Sequence, residues 1–164
     1  GGILSTDKDA LRYEHMNHSK NYHRLALMFG LHLIAMYILM YAMVNTFANA
    51  VPNHNQLYMA VLMASPMLVL ELWLMGSMYQ NKKLNGGIII AGLLLLVGSF
   101  FFIRQQTAIA DEQFLKSMIP HHAGAILMCE KADLTDPQIK ELCGNIVSGQ
   151  QAEIDWMRAK LETL

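Results

Sequence analysis

Between Asp111 and Leu164 the chain sets thioethers and imidazoles at helical spacing: Met118, His121, His122 and Met128, then after a break Gln150, Glu153 and Met157. At about 100° per residue, Phe114, Met118, His121, His122, Ala125, Met128 and Cys129 share one face of a helix. Ile139, Leu142, Cys143, Ile146, Gln150, Glu153, Ile154 and Met157 share a face of a second. Both faces are expected to be buried. A buried His, Gln or Glu without a hydrogen-bonding partner costs roughly 1–3 kcal/mol, so a core built only for packing would carry Leu or Ile there. Coordination to an ion offsets that cost. Thioether and imidazole donors one turn apart can converge on one site, and Met sulfur selects Cu(I) over hard cations such as Mg2+ or Ca2+. The expected ligands are therefore Met118, His121, His122, Met128 and Met157, with copper as the ion and Cu(I) ahead of Cu(II). Glu153, helped by Gln150, is expected behind them, accepting the imidazole N–H turned away from the ion. A single Met reads as packing filler; the joint pattern M-x-x-H-H-x5-M opposite Q-x-x-E-x-x-x-M is what points to a metal.

A second set of soft donors lies in the apolar part of the chain. Met28, His32, Met36, Met40 and Met43 fall within about a 120° arc of one helix, and Met59, Met63, Met67, Glu71, Met75 and Met78 make a looser arc on the next. Met is at home in helix packing, whereas ionisable groups within a membrane span are costly and mark a pathway or a paired interior site. A possible path for Cu(I) would use His32, Met36, Met40, Met63, Met67 and Glu71, with His32 and Glu71 at comparable depth and able to pair. His15, Met16, His18 and His23 form a further cluster near the start, read as a solvated segment.

The elements that must position these groups follow from the distribution of charge. The 164 residues are 54% hydrophobic and 15% charged, and nearly all the charge lies before Arg24, at Lys82 and Lys83, or after Arg104. Three apolar stretches result, at about residues 25–48, 57–79 and 87–103, and each is long enough to span a bilayer, which takes about 17–25 residues. Ala48-Asn49-Ala50 imitates a signal-peptidase site, but the run before it is too long for a signal core of roughly 7–15 residues. Lys20, Arg24, Lys82 and Lys83 flank one side of the spans and the 49–56 loop has neither Lys nor Arg. The positive-inside rule then makes residues 1–24 a cytoplasmic segment and places everything after Arg104 outside. The chain opens on Gly1-Gly2, so the residues before Met16 are treated as a remnant of processing or tagging and given no functional weight.

Beyond Arg104 the pattern turns amphipathic. Asp111 is the expected cap of a helix that Pro120 kinks and that Ala132 to Thr135 end; Asp136 is the expected cap of another, with Pro137 at its first position. Two cysteines, Cys129 and Cys143, are too few for a disulfide framework, and whether they pair is left open. The fold expected is all-α: an integral membrane protein whose three transmembrane helices are followed by a helical hairpin over residues 108–164. So small a hairpin leaves a flank uncovered, which predicts a homo-oligomer through this part of the chain, alongside lipid and metal as partners. A net charge of -1 gives no footprint for nucleic acid.

The string Asp111 to His122, with Ala125, Ile126 and Met128 after it and Gln150, Glu153, Ile154 and Met157 later, resembles domain-of-unknown-function family 305, whose members include periplasmic CopM-type copper proteins. The resemblance covers about residues 108–164. It implies a ferritin-like helical bundle outside the cytoplasm that binds Cu(I) or Cu(II) through Met and His, here at Met118, His121, His122, Met128 and Met157. The function expected is a copper-binding protein anchored in a bacterial inner membrane, which captures, buffers or hands on the ion at the periplasmic face. The alternatives are an oligomeric copper channel with a Met-lined path, and a structural or regulatory subunit without metal. No Glu-x-x-His motif, Ser-His-Asp grouping or phosphate-binding Gly loop occurs, so no enzymatic activity is expected.

Overall fold

The computed structural model describes residues 3–164, with side chains from Lys8 onward except those of His15 and His18. Those two members of the N-terminal His cluster thus lie outside the described side chains. Every regular element among the described residues is helical: α1 (Ile3–Leu39), α2 (His54–Leu74), α3 (Lys82–Gln105), α4 (Asp111–Lys131) and α5 (Pro137–Leu161). Short 3-10 turns occupy Met40–Met43, Phe47–Asn49 and Gly76–Met78. Three helical stretches, Lys8–Met43, His54–Leu74 and Lys82–Gln105, are long and apolar enough to cross a membrane.

The first helix ends sooner than its apolar run. It tightens after Leu39 and gives way at Val44, which is extended; beyond it the Asn49 side chain donates to Asn45 Oδ1 at 2.8 Å. Asn53 restarts the helical path: its Oδ1 accepts the Gln56 N–H at 2.9 Å.

The chain divides into two compact units, Gly1–Met36 with Ala60–Phe101, and Tyr37–Met59 with Phe102–Leu164. In the first, Leu25, Leu68, Leu72 and Tyr79 form a buried cluster against which Tyr22, Phe29 and Met67 pack. Small residues let α2 and α3 approach closely: a methyl added at Gly92 would lie 3.3 Å from the Leu68 Cβ. The expected pairing of His32 with Glu71 is not formed among the described residues. Glu71 instead accepts the Tyr79 hydroxyl at 3.2 Å, a partner that the turn after α2 folds back onto it.

In the second unit α4 and α5 form the hairpin, and the loop between α1 and α2 packs on it. Leu115, Ile119, Ala123, Ile126, Ile154 and Met157 make the core, with Val44, Val51 and Val147 against it. The buried stripe of α4 is therefore rotated by about one residue from the face expected, since Phe114 and Met128 remain half exposed. On α5, Ile139 and Leu142 are likewise exposed where burial was expected. Asp111 is the first helical residue rather than the cap; Ala110 holds the cap position without a side-chain bond. Asp136 caps α5, accepting from Gln138 N at 2.8 Å and Ile139 N at 3.2 Å, with Pro137 at the start.

Cys129 and Cys143 are joined in a disulfide across the hairpin, closing a separation of 14 residues. A closed loop of that size lowers the entropy of the unfolded chain enough to stabilise the fold by about 2–4 kcal/mol. A protein with both cysteines replaced by Ser should lose stability of that order in equilibrium unfolding, read from the fluorescence of Trp156 in a Trp73→Phe background.

Candidate metal centre

The face of α4 that α5 does not cover carries Met118, His121, Ala125 and Met128, and these line a cleft of about 500 Å³. Its opposite wall is built by the end of the α1 segment and the start of α2: Met40, Met43, Val44, Asn53, Asn55, Gln56 and Met59. Ile103 and Gln106 contribute from the end of α3. Five thioethers and one imidazole thus border one space, and no Asp, Glu, Lys or Arg does. Pro120, Gly124 and Ala125 leave the room: the Gly124 position approaches the Met43 backbone, with an added methyl lying 3.8 Å from its carbonyl oxygen.

Most of the harder donors around the cleft are already engaged. Asn55 and Gln106 exchange amide hydrogen bonds, at 3.0 and 3.1 Å, and Asn55 also donates to the Ser117 hydroxyl at 3.2 Å. Asn53 donates to the Val51 carbonyl at 2.9 Å and to the Tyr41 hydroxyl at 3.4 Å. Among the described residues no hydrogen bond engages the His121 ring, which stands 6.4 Å from the ring of His122. No group of three or more His, Cys, Asp or Glu side chains that could hold a metal occurs among the described residues. The unengaged side-chain donors of the cleft are therefore five thioethers, the His121 imidazole and the Gln56 amide, a predominantly soft set that fits a low-charge ion.

The other expected ligands turn the opposite way. His122 is buried toward α5: its Nδ1 lies 2.9 Å from the Met118 carbonyl oxygen, which can only accept, and its Nε2 lies 2.5 Å from Glu153 Oε2. With both ring nitrogens engaged, His122 offers no lone pair to an ion in this arrangement. Met157 is 5% exposed within the core and borders, with Met118, His122, Glu153 and Trp156, a second groove of about 380 Å³. Gln150 is half-buried and lines neither space. Of the membrane-path residues only Met40 reaches the cleft; His32, Met36, Met63, Met67 and Glu71 belong to the first unit, where Met63 is exposed. Outside the cleft, the Lys116 ammonium hydrogen-bonds to Glu112 at 2.5 Å and holds that exposed carboxyl below its ordinary pKa.

Residues 103–161 match the family described as Domain of unknown function (DUF305). The chain is also similar to an uncharacterized protein of Acanthamoeba polyphaga mimivirus, 37% identical over 110 residues, which cover 66% of this chain and 70% of the relative. Residues 103–161 belong to the DUF305 domain family. A matched stretch of that length necessarily takes in α3 and nearly all of α2, so the likeness reaches beyond the DUF305 segment into the apolar helices. No solved structure matches the chain. Within the DUF305 segment lie Met118, His121 and Met128; Met40, Met43 and Met59 lie before it.

The wall that carries Met40 and Met43 is held to the hairpin by Arg158, which donates to the Ala48 carbonyl at 2.5 Å and to Asn49 Oδ1 at 2.6 Å. Hydrogen bonds from a charged donor contribute roughly 1.5–3 kcal/mol, discounted here because the guanidinium is partly solvated. Arg158→Met should lower the unfolding free energy by about 1–2 kcal/mol with helix content unchanged, measured by denaturation followed by circular dichroism.

Proposed function

We propose that this DUF305 protein is a membrane-anchored copper-binding protein that captures, buffers or hands on the ion at an extracytoplasmic face, without catalytic turnover. One observation carries the reading: Met118, His121 and Met128, soft donors at helical spacing, border the same uncharged cleft. Thioether and neutral imidazole suit Cu(I), which needs no carboxylate to balance a second charge.

Anchoring is supported by the outward faces of the apolar helices. Leu31, Ile34, Leu94 and Phe101 are exposed, apolar side chains that lipid covers at no cost and water does not. The Lys and Arg positions support a cytoplasmic N-terminus, and the Cys129–Cys143 disulfide supports an oxidising environment for the hairpin, such as the periplasm. Phe114, Ile139, Leu142 and Trp156 are exposed on the hairpin, which supports self-association there into a ferritin-like four-helix arrangement. A copper path through the apolar helices draws less support, since Glu71 is taken by Tyr79 and Met63 faces outward.

The protein purified in detergent without a His tag should bind Cu(I) in competition with a chromophoric chelator, and His121→Ala should weaken that binding by about ten-fold or more. His122→Gln should leave the affinity within about three-fold and lower stability instead, by about 1 kcal/mol, because it disturbs the hydrogen bonds of a buried imidazole whose partner Glu153 is itself exposed. Absence of Cu(I) binding, or equal affinities for the wild type and His121→Ala, overturns the reading.

A further inference from the structure

We infer that Met40, Met43 and Met59, which precede the DUF305 segment, are ligands of the same ion, so that the binding site is a Cu(I)-selective cleft shared between the apolar helix ends and the hairpin. The inference rests on the copper reading above and specifies its site: the ion is held between α4 and the chain that leads into and out of the first loop, not between the two hairpin helices.

Packing does not account for Met43 or for Met128 across the cleft from it, and Met40 and Met59 are only half-buried beside them. A methionine that fills a core is enclosed, as Met157 is at 5% exposure. Met43 and Met128 face each other's space at 50% and 54% exposure, and the cleft leaves about 500 Å³ beside them. Unbranched apolar side chains held open in this way forfeit both burial and dispersion contacts, whereas coordination by sulfur gives the opening a purpose. The rim chemistry sharpens the selection. Of the hard donors that would suit a divalent ion, Asn53, Asn55, Gln106 and Ser117 are bonded to one another or to backbone, which leaves the neutral Gln56 amide alone among the described lining residues. Without a carboxylate in the lining, a divalent cation loses its hydration and gains no opposite charge, a penalty that a monovalent ion with soft ligands escapes. The hairpin alone supplies Met118, His121 and Met128; the other wall doubles the donors and raises sulfur from two of three to five of six.

The test uses the full chain in detergent micelles with methionine ε-methyl groups labelled for NMR, Ag(I) as a redox-inert stand-in for Cu(I), and a triple variant Met40→Leu, Met43→Leu, Met59→Leu. Leu conserves volume, and a Met75→Leu, Met78→Leu variant controls for loss of methionine elsewhere. Ag(I) should move the Met40, Met43 and Met59 methyl signals together with those of Met118 and Met128. The triple variant should bind Cu(I) about 10- to 100-fold more weakly than the wild type or the control. Wild type that binds Cu(I), with unmoved Met40, Met43 and Met59 methyls and a triple variant of unchanged affinity, overturns this inference and leaves the hairpin as the site. Wild type that binds neither Cu(I) nor Ag(I) overturns both. The methyl shifts are read on the wild type, so a triple variant that fails to fold leaves the inference decided by them.

Discussion

The guanidinium of Arg158 donates to the Ala48 carbonyl and the Asn49 side chain, and through them ties the last helix to the loop that follows the first. That loop is irregular, and its polar backbone groups need partners that a helix would have supplied internally. Arg158 provides them at the point where Val44 and Val51 settle on the hairpin core. The 3-10 turn Met40–Met43 is thereby set beside Gly124, and the cleft exists because this turn and α4 are both held while nothing large fills the gap. The packing of Ile119, Ile126 and Ile154, all nearly inaccessible, fixes the other side of α4 against α5.

Helix α4 thus serves two neighbours with two faces. Adjacent residues on a helix point about 100° apart, and the consecutive histidines fall on either side of that division. His122 enters the hairpin core and is consumed by Met118 and Glu153; His121 turns to the cleft. The cost of burying one imidazole is met by hydrogen bonds, so it needs no ion to explain it. The other is the one whose donors are free to do chemistry.

Much of this was legible in the chain. The Asp136-Pro137 start of α5 follows from local chemistry that a sequence displays in full, and the three apolar helices follow from length and charge. The buried stripe of α4 was not, because the expectation allowed it only one partner and drew His121, His122, Met118 and Met128 onto a single inward face. With a second partner, Leu115, Ile119 and Ile126 take the core and the polar set divides. Met40, Met43 and Met59 were visible as soft donors on the faces of two apolar helices. Their meeting with the hairpin was not, since it depends on α1 ending at Leu39 and on an arginine more than a hundred residues away. Periodicity within an element is local information; the register between distant elements is not.

The link between Cys129 and Cys143 bears on ligand choice as well as on folding. Thiolate is a stronger donor to soft ions than thioether, and Cys129 adjoins Met128 in the chain. No free cysteine remains among the described residues. By joining both sulfurs in a covalent bond, the hairpin withdraws its two thiols, and an ion bound as proposed would meet only weaker thioether and imidazole ligands, from which a second acceptor could draw it away.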